Sequence, residues 1–132
     1  MRPTGLWRAA LCAGLIASLG LQTAAAVPPD PVRGEQLYNR CAACHALASD
    51  RVGPRHCGVV GRRAGSVAGF AYSPAMKKSK LQWNVKTLDR FLTKPMSVVP
   101  GTSMTYDGVP LAQDRSDLIA YLQQAAASSA CK

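Results

Sequence analysis

Apolar side chains recur at the three- and four-residue spacing of an amphipathic helix in three separate parts of this chain. The pattern predicts helices over 33–44, over about 85–94 and over 115–127. Asn84 is suited to cap the second helix, and Lys94-Pro95 is suited to end it. The buried sides are predicted to contain Leu37, Tyr38 and Cys41 in the first helix, Leu88, Phe91 and Leu92 in the second, and Leu118, Ile119, Leu122 and Ala125 in the third.

The segments between these helices have neither a helical nor an alternating period. Residues 46–69 are rich in glycine and are predicted to form loops and turns, as are residues 96–110. Residues 74–78 are predicted to form a short helix, because Ser73 can cap it and Pro74 suits its first position. Since no segment alternates as a strand would, the chain is predicted to be all-α.

The first 26 residues have the features of an export signal. Arg2 and Arg8 are followed by an apolar run over 9–21, and Ala24-Ala25-Ala26 places small residues at the cleavage position. The apolar run is too short to span about 30 Å of hydrocarbon as a membrane anchor. We therefore predict a cleaved signal peptide (1–26), a flexible proline-containing leader (27–33) and one domain (34–132).

The chain is strongly basic, with 16 Lys and Arg against 7 Asp and Glu, a net charge of +9. Removal of Arg2 and Arg8 with the signal leaves +7. Such a charge is compatible with nucleic acid or anionic lipid, but in an exported protein it is better suited to an acidic patch on another protein. No nucleic-acid partner, and no stable membrane insertion after cleavage, is predicted.

The segment Cys41-Ala42-Ala43-Cys44-His45 has the spacing of a covalent haem attachment site. Two cysteines three residues apart can form thioethers with the haem vinyl groups, and the adjoining histidine can bind the iron. Redox dithiols and half zinc sites share the Cys-x-x-Cys part. The remaining His and Cys residues of the exported part offer no second zinc pair at a suitable spacing. One haem c, bound through Cys41 and Cys44, is therefore predicted.

Two further observations concern cysteine and methionine. Cys57 and Cys131 are left over in the exported part, and an oxidising compartment favours a disulfide between them over two unpaired buried thiols. Met104 lies on a constrained, non-helical segment, Pro100-Gly101-Thr102-Ser103-Met104, and can fill the sixth position of the iron. The alternative for Met104 is ordinary core filling.

With these motifs in place, the chain resembles the class I c-type cytochromes, particularly their mitochondrial-like and bacterial periplasmic members, over about residues 34–127. The other segments that carry the resemblance are Val52-Gly53-Pro54, Gly61-Arg62, Gly69-Phe70-Ala71-Tyr72, Trp83 and Asp117-Leu118-Ile119-Ala120-Tyr121-Leu122. The resemblance implies a cytochrome c fold, in which helices and irregular loops wrap around one covalently attached haem.

The resemblance also implies roles for individual residues. His45 is the proximal iron ligand, and the Pro54 carbonyl accepts a hydrogen bond from its other ring nitrogen. Met104 is the distal ligand. The residues expected around a buried propionate are Arg62, Tyr72, Trp83 and Thr102. His56 stands where the family has an apolar side chain; it is predicted to be a structural or surface group, with capture of the iron at high pH as the alternative.

Two positions depart from the family pattern. Phe91 stands where many relatives have tyrosine, and Met76 replaces an asparagine that is common in mitochondrial members. Both changes make the pocket more apolar, and a drier pocket disfavours the more charged oxidised iron. A higher reduction potential than in tyrosine-bearing members is therefore expected.

The expected function is that of a soluble, monomeric periplasmic electron carrier rather than an enzyme. Its iron would cycle between Fe(II) and Fe(III) with His and Met ligands, and its redox partner proteins would present acidic docking surfaces. One alternative is an electron-accepting cytochrome subunit of a periplasmic dehydrogenase. A ligand-binding or peroxidase-type haem protein is the other, and it would need an open sixth position.

Overall fold

The computed structural model of the chain describes Met1 and residues 26–132. Most of the predicted signal peptide, residues 2–25, lies outside the described residues. No helix in the described part is both long enough and apolar enough to cross a membrane.

The described chain folds into five helices joined by loops. They are α1 (Pro31–Tyr38), α2 (Pro74–Lys78), α3 (Val85–Thr93), α4 (Pro95–Val98) and α5 (Ala112–Ala125), and a short 3-10 helix (Ser129–Cys131) follows. Within residues 26–132, the sole strand-like pairing is an isolated bridge between Arg63 and Gln82. The predicted all-α fold is confirmed.

Helix α1 begins earlier and ends earlier than predicted. The Asp30 carboxylate accepts hydrogen bonds from the N–H groups of Val32 (2.9 Å) and Arg33 (3.3 Å). Pro31 fits the first turn of the helix, because a backbone N–H at that position would have no acceptor within the helix. The predicted leader 27–33 is therefore wrong in its last three residues, which are helical. After Tyr38 the chain continues in turns, so the predicted helix over 33–44 does not reach Cys44.

The middle helices follow their capping residues. Ser73 accepts the Met76 N–H at 3.1 Å and starts α2 as predicted, while Asn84 and Thr87 cap each other's backbone at 2.9 Å and start α3. The segment 96–110 is less irregular than predicted, because Pro95 opens the single turn of α4. Helix α5 begins at Ala112 rather than at 115 and ends at Ala125 rather than at 127.

The first and last helices cross at Gly34. A Cβ atom at this position would lie 2.6 Å from the carbonyl carbon of Asp117 and 2.8 Å from the Cβ of Tyr121. The absence of a side chain therefore allows the two backbones to touch. The Tyr38 and Tyr121 rings lie beside this crossing, with their centroids 5.3 Å apart.

A polar cluster closes one end of the same crossing. Asp117, 1% exposed, accepts hydrogen bonds from the Asp30 N–H (2.9 Å) and the Gln113 amide (2.7 Å) and pairs with Arg33. Burial acts to raise the pKa of Asp117, but these donors outweigh it and the pKa is lowered. The carboxylate is therefore held in its charged form between the two helices.

Cys57 and Cys131 form a disulfide with their Cα atoms 5.4 Å apart, which confirms the predicted pairing. The bond ties the 3-10 helix at the C-terminus to the loop after Pro54. The same loop carries His56, so the disulfide anchors a segment that reaches the interior.

The buried apolar residues form one cluster that backs onto a cavity. Its members are Tyr38, Val59, Ala64, Met76, Trp83, Leu88, Phe91, Leu92, Val99, Leu118, Ile119 and Leu122. The helical members come from α1, α2, α3 and α5, and the loop members are Val59, Ala64, Trp83 and Val99. The loops supply most of the polar groups described next.

Candidate haem site

A cavity of about 500 Å³ lies at the centre of the described chain. Its size falls in the range of pockets that hold a cofactor-sized ligand. All nine residues predicted for the site lie on its wall: Cys41, Cys44, His45, Pro54, Arg62, Tyr72, Trp83, Thr102 and Met104. The fold therefore brings together groups that are up to 63 positions apart in the sequence (Cys41 to Met104).

The two cysteines of the attachment motif lie on the turns that follow α1. Both are free thiols, with Cys41 partly buried and Cys44 exposed. The Cys41 carbonyl accepts the N–H groups of Cys44 (3.0 Å) and His45 (2.8 Å), so a tight turn places His45 inside. Burial raises the pKa of the Cys41 thiol, an environment that suits an uncharged thioether.

One ring nitrogen of His45 is hydrogen-bonded to the backbone, and no hydrogen bond among the described residues uses the other. Its Nδ1 lies 2.8 Å from the Pro54 carbonyl oxygen. Because a carbonyl oxygen can only accept, Nδ1 must carry the proton and Nε2 must have its lone pair available. Burial lowers the pKa of His45 more than this hydrogen bond raises it, so the ring is kept in the neutral form that a metal requires.

The faces of the His45 ring are closely covered. A Cβ atom on Gly53 would lie 2.5 Å from both ring nitrogens and nearer still to the carbon between them, a position over the face of the ring. The His56 ring stacks on His45 with centroids 4.1 Å apart and an interplanar angle of 22°. Two groups this close cannot share one face of a five-membered ring, so His45 lies between Gly53 and His56.

His56 is a structural group, in agreement with the first of its two predicted roles. Its Nδ1 lies 3.1 Å from the Tyr38 hydroxyl oxygen. Burial, with smaller contributions from His45 and Arg62, lowers the pKa of His56 to about 3. A histidine at this position is unusual for the family, which could be seen from the sequence. Nothing in the sequence predicted that its ring would stack on His45.

Met104 lies on the cavity wall on the loop between α4 and α5. Its N–H donates to the Thr102 hydroxyl at 3.2 Å, and the Thr102 N–H donates to the Val99 carbonyl at 3.0 Å. These bonds fix the backbone that presents the thioether. Met76 also reaches the cavity, whereas Met96 is 44% exposed and does not line it.

Arg62 brings a positive charge to the cavity wall. Its guanidinium donates to the carbonyl oxygens of Cys57 (3.0 Å) and Arg55 (2.7 Å), and within residues 26–132 it pairs with no carboxylate. Burial lowers its pKa, which reflects the cost of a half-buried charge without a counter-ion. The charge is therefore suited to an anionic ligand group.

Two further donors accompany Arg62. The Tyr72 hydroxyl accepts the Val67 N–H at 3.4 Å and keeps its own hydrogen for a second partner. Trp83 lines the cavity, and no hydrogen bond among the described residues uses its indole N–H. Together with Arg62, these groups form a donor set for a carboxylate.

The side chains at the two positions that depart from the family are both buried in the wall. Met76 and Phe91 are 7% and 5% exposed, and the Phe91 ring contacts Trp83 with centroids 4.9 Å apart. Neither side chain has a hydroxyl or an amide. This part of the wall is therefore apolar, as the sequence predicted.

The side chains around the cavity have the functional groups that a covalently attached haem requires. An imidazole nitrogen, a thioether, two free thiols and an unpaired guanidinium surround a largely apolar cavity. Imidazole and thioether are known axial ligands of haem iron, and the guanidinium can neutralise a propionate.

Comparisons with known proteins agree with this chemistry. A sequence model described as Cytochrome c matches residues 31–126. The chain is 50% identical over 96 residues to a cytochrome c2 of Rhodomicrobium vannielii, covering 70% of this chain and 77% of that protein. It is 45% identical over 98 residues to a cytochrome c2 of Rhodoblastus acidophilus, covering 72% and 92%.

A solved structure shares the fold. Cytochrome cH from Methylobacterium extorquens superimposes with a TM-score of 0.71 at 41% identity, over 72% of this chain and 98% of that one. The family carries haem c on a paired-cysteine motif, and here Cys41 and Cys44 have the required spacing. The chain belongs to the cytochrome c family and is an electron-transport haem protein.

Proposed function

We propose that the protein is a soluble, monomeric electron carrier of the periplasm, with His45 and Met104 as retained axial ligands. The proposal rests above all on one observation: an imidazole nitrogen with a free lone pair and a thioether lie on the wall of the same cavity. When bound, the haem supplies a reversible one-electron change between Fe(II) and Fe(III), and the protein supplies ligands, burial and orientation.

The chain's own residues restrict movement around both ligands. His45 is held by the Pro54 carbonyl and by Gly53, and Met104 is held through the Thr102 hydroxyl. Ligands that do not move when the iron changes charge keep the reorganisation small. If His45 and Met104 both bind the iron, no site would remain there for a substrate, and the protein would act as a carrier rather than an enzyme.

The donor set formed by Arg62, Tyr72 and Trp83 is proposed to bind a propionate. The carbonyls of Cys57 and Arg55 already orient the guanidinium, so an incoming carboxylate would meet a charge that needs little further ordering. Thr102, on the loop between α4 and α5, is proposed to assist.

The opening of the cavity is the proposed route for electrons. The exposed residues on its wall are Arg40, Cys44, Val52, Ser103 and Thr105. They carry a single charge, which is positive, and Val52 is 81% exposed. A redox partner with an acidic surface would therefore be attracted by the net positive charge, while Val52 offers an apolar contact at the opening.

The sixth ligand is tested by adding carbon monoxide to the reduced, haem-loaded protein. The wild-type spectrum is expected to remain unchanged, and Met104→Ala is expected to bind carbon monoxide at once. Met96→Ala is the matched control, because Met96 is exposed and does not line the cavity; it should behave as the wild type. Rapid binding by the wild-type protein would overturn the carrier assignment in favour of gas binding or peroxide chemistry.

Location and oligomeric state need separate measurements. Intact mass of the periplasmic fraction should match a chain that starts at Val27 and carries one haem. Gel filtration of the same sample should give the size of a single chain. Stable co-purification with a catalytic chain would instead favour a dehydrogenase subunit.

A further inference from the structure

His56 occupies an unusual place for a histidine. Its ring is stacked on that of His45, with 4.1 Å between centroids and 22° between planes, and lies on the face opposite Gly53. The Pro54 carbonyl restrains the edge of the His45 ring, and the two neighbours restrain its faces. The His45 ring is therefore restrained at the Nδ1 edge and on its faces.

His56 is itself held in place from several sides. Its N–H donates to the carbonyls of Ala46 and Leu47, both at 3.0 Å, and its Nδ1 contacts the Tyr38 hydroxyl at 3.1 Å. The next residue, Cys57, is bonded to Cys131. A side chain whose backbone and ring are both fixed can act as a rigid surface for its neighbour.

The hydrogen bond to Tyr38 connects this surface to the helix crossing. The Tyr38 ring lies edge-on to His56 with centroids 5.7 Å apart and packs on Tyr121 of α5 at 5.3 Å. The plane of the His56 ring is thus set by the junction of α1 and α5, which Gly34 makes close.

We infer that His56 is a positioning residue that sets the plane of the His45 ring through face-to-face stacking. The inference rests on the proposed ligation of the iron by His45. Stacked aromatic rings have a preferred geometry that an aliphatic side chain of similar size lacks. Replacing the ring should therefore change the orientation of the axial imidazole without removing it.

The test uses the haem-loaded ferric protein and proton NMR. The hyperfine-shifted resonances of the haem methyl groups depend on the direction of the axial imidazole plane, so their order and spread report the quantity in question. His56→Ala removes the stacking surface, and the order of the methyl shifts is expected to change. His56→Phe keeps a ring and loses the hydrogen bond, and its order is expected to stay close to that of the wild type.

Two more variants make the result decisive. Tyr38→Phe removes the hydroxyl and leaves His56 in place; the order of methyl shifts should be retained, with a smaller change of spread than in His56→Ala. If His56→Ala fails to fold, His56→Leu fills the space without a flat face and is expected to change the order of the shifts. A wild-type order in the folded variant without a ring would overturn the inference.

Failure of the inference can be told apart from failure of the proposed ligation. If His45 does not bind the iron, the wild-type spectrum itself will lack the resonances of an iron-bound imidazole. If His45 binds and His56 plays no part, the wild-type spectrum will show them and all variants will match it.

Discussion

The contact at Gly34 leads to a quantitative prediction about the stability of the helix crossing. Gly34→Ala adds one methyl group in the middle of α1. In an exposed helix this change would stabilise the folded state by about 1 kcal/mol, because alanine loses less backbone freedom than glycine. The sign observed here therefore depends on what the new methyl group meets.

The methyl group would meet backbone rather than a flexible side chain. It would lie 2.6 Å from the Asp117 carbonyl carbon and 2.8 Å from the Tyr121 Cβ. Neither atom can move without shifting α5, and overpacking of this kind costs about 3 kcal/mol at the upper end of its usual range. Subtracting the propensity gain leaves a net destabilisation of about 2 kcal/mol, or a fall in melting temperature of roughly 10 °C for a domain of this size.

The assay is guanidinium unfolding of the haem-loaded ferric protein, followed by far-ultraviolet circular dichroism. Gln36→Ala is the matched control, because Gln36 is exposed on the same helix and its substitution should change the free energy of unfolding by less than about 0.5 kcal/mol. A Gly34→Ala protein as stable as the wild type, or more stable, would refute the close approach of the two helices.

Three further predictions concern the disulfide, the buried carboxylate and the apolar wall. Replacing both Cys57 and Cys131 by serine should lower the free energy of unfolding by about 4 kcal/mol, since the bond closes a loop across a separation of 74 residues; an unchanged guanidinium midpoint would contradict this. Because the pKa of Asp117 is lowered, its charged form contributes stability above the ordinary pKa of 3.8, and that contribution disappears as the pH falls through the folded-state value. Asp117→Asn should therefore be less stable at neutral pH and should lose less stability on acidification, as measured by melting temperature against pH. Phe91→Tyr places a hydroxyl in the apolar wall and should lower the reduction potential in a redox titration, while Phe91→Leu should leave the potential nearly unchanged. A Phe91→Tyr protein with an equal or higher potential would contradict the expected effect of the apolar wall.

The start of a helix could be predicted where it depends on a capping residue close by in the sequence. Ser73 and Asn84 lie within three residues of the N–H groups that they cap, so α2 and α3 begin where the sequence indicated. Two of the errors lie at prolines. Lys94-Pro95 ends α3 as predicted, but Pro95 also opens α4, and Pro31 opens α1 inside the predicted leader. Each proline occupies the first turn of a helix, where proline is favoured. Asp30, which precedes Pro31, is a residue type that favours the N-cap of a helix, and it caps α1.

For the site too, the features encoded by short segments could be predicted, and those that depend on tertiary contacts could not. The attachment motif and the Met104 loop are short segments whose residue types state their chemistry, and all of the predicted residues reached one cavity. The surroundings of His45 could not be predicted, because they depend on how the Gly53–Cys57 loop folds back over the ring and on where α1 meets α5. A histidine in a loop has the same local sequence whether its ring faces water or another imidazole. The stacking of His56 is a property of the tertiary fold, and for that reason its effect on the ligand plane has to be measured on the folded, haem-loaded protein.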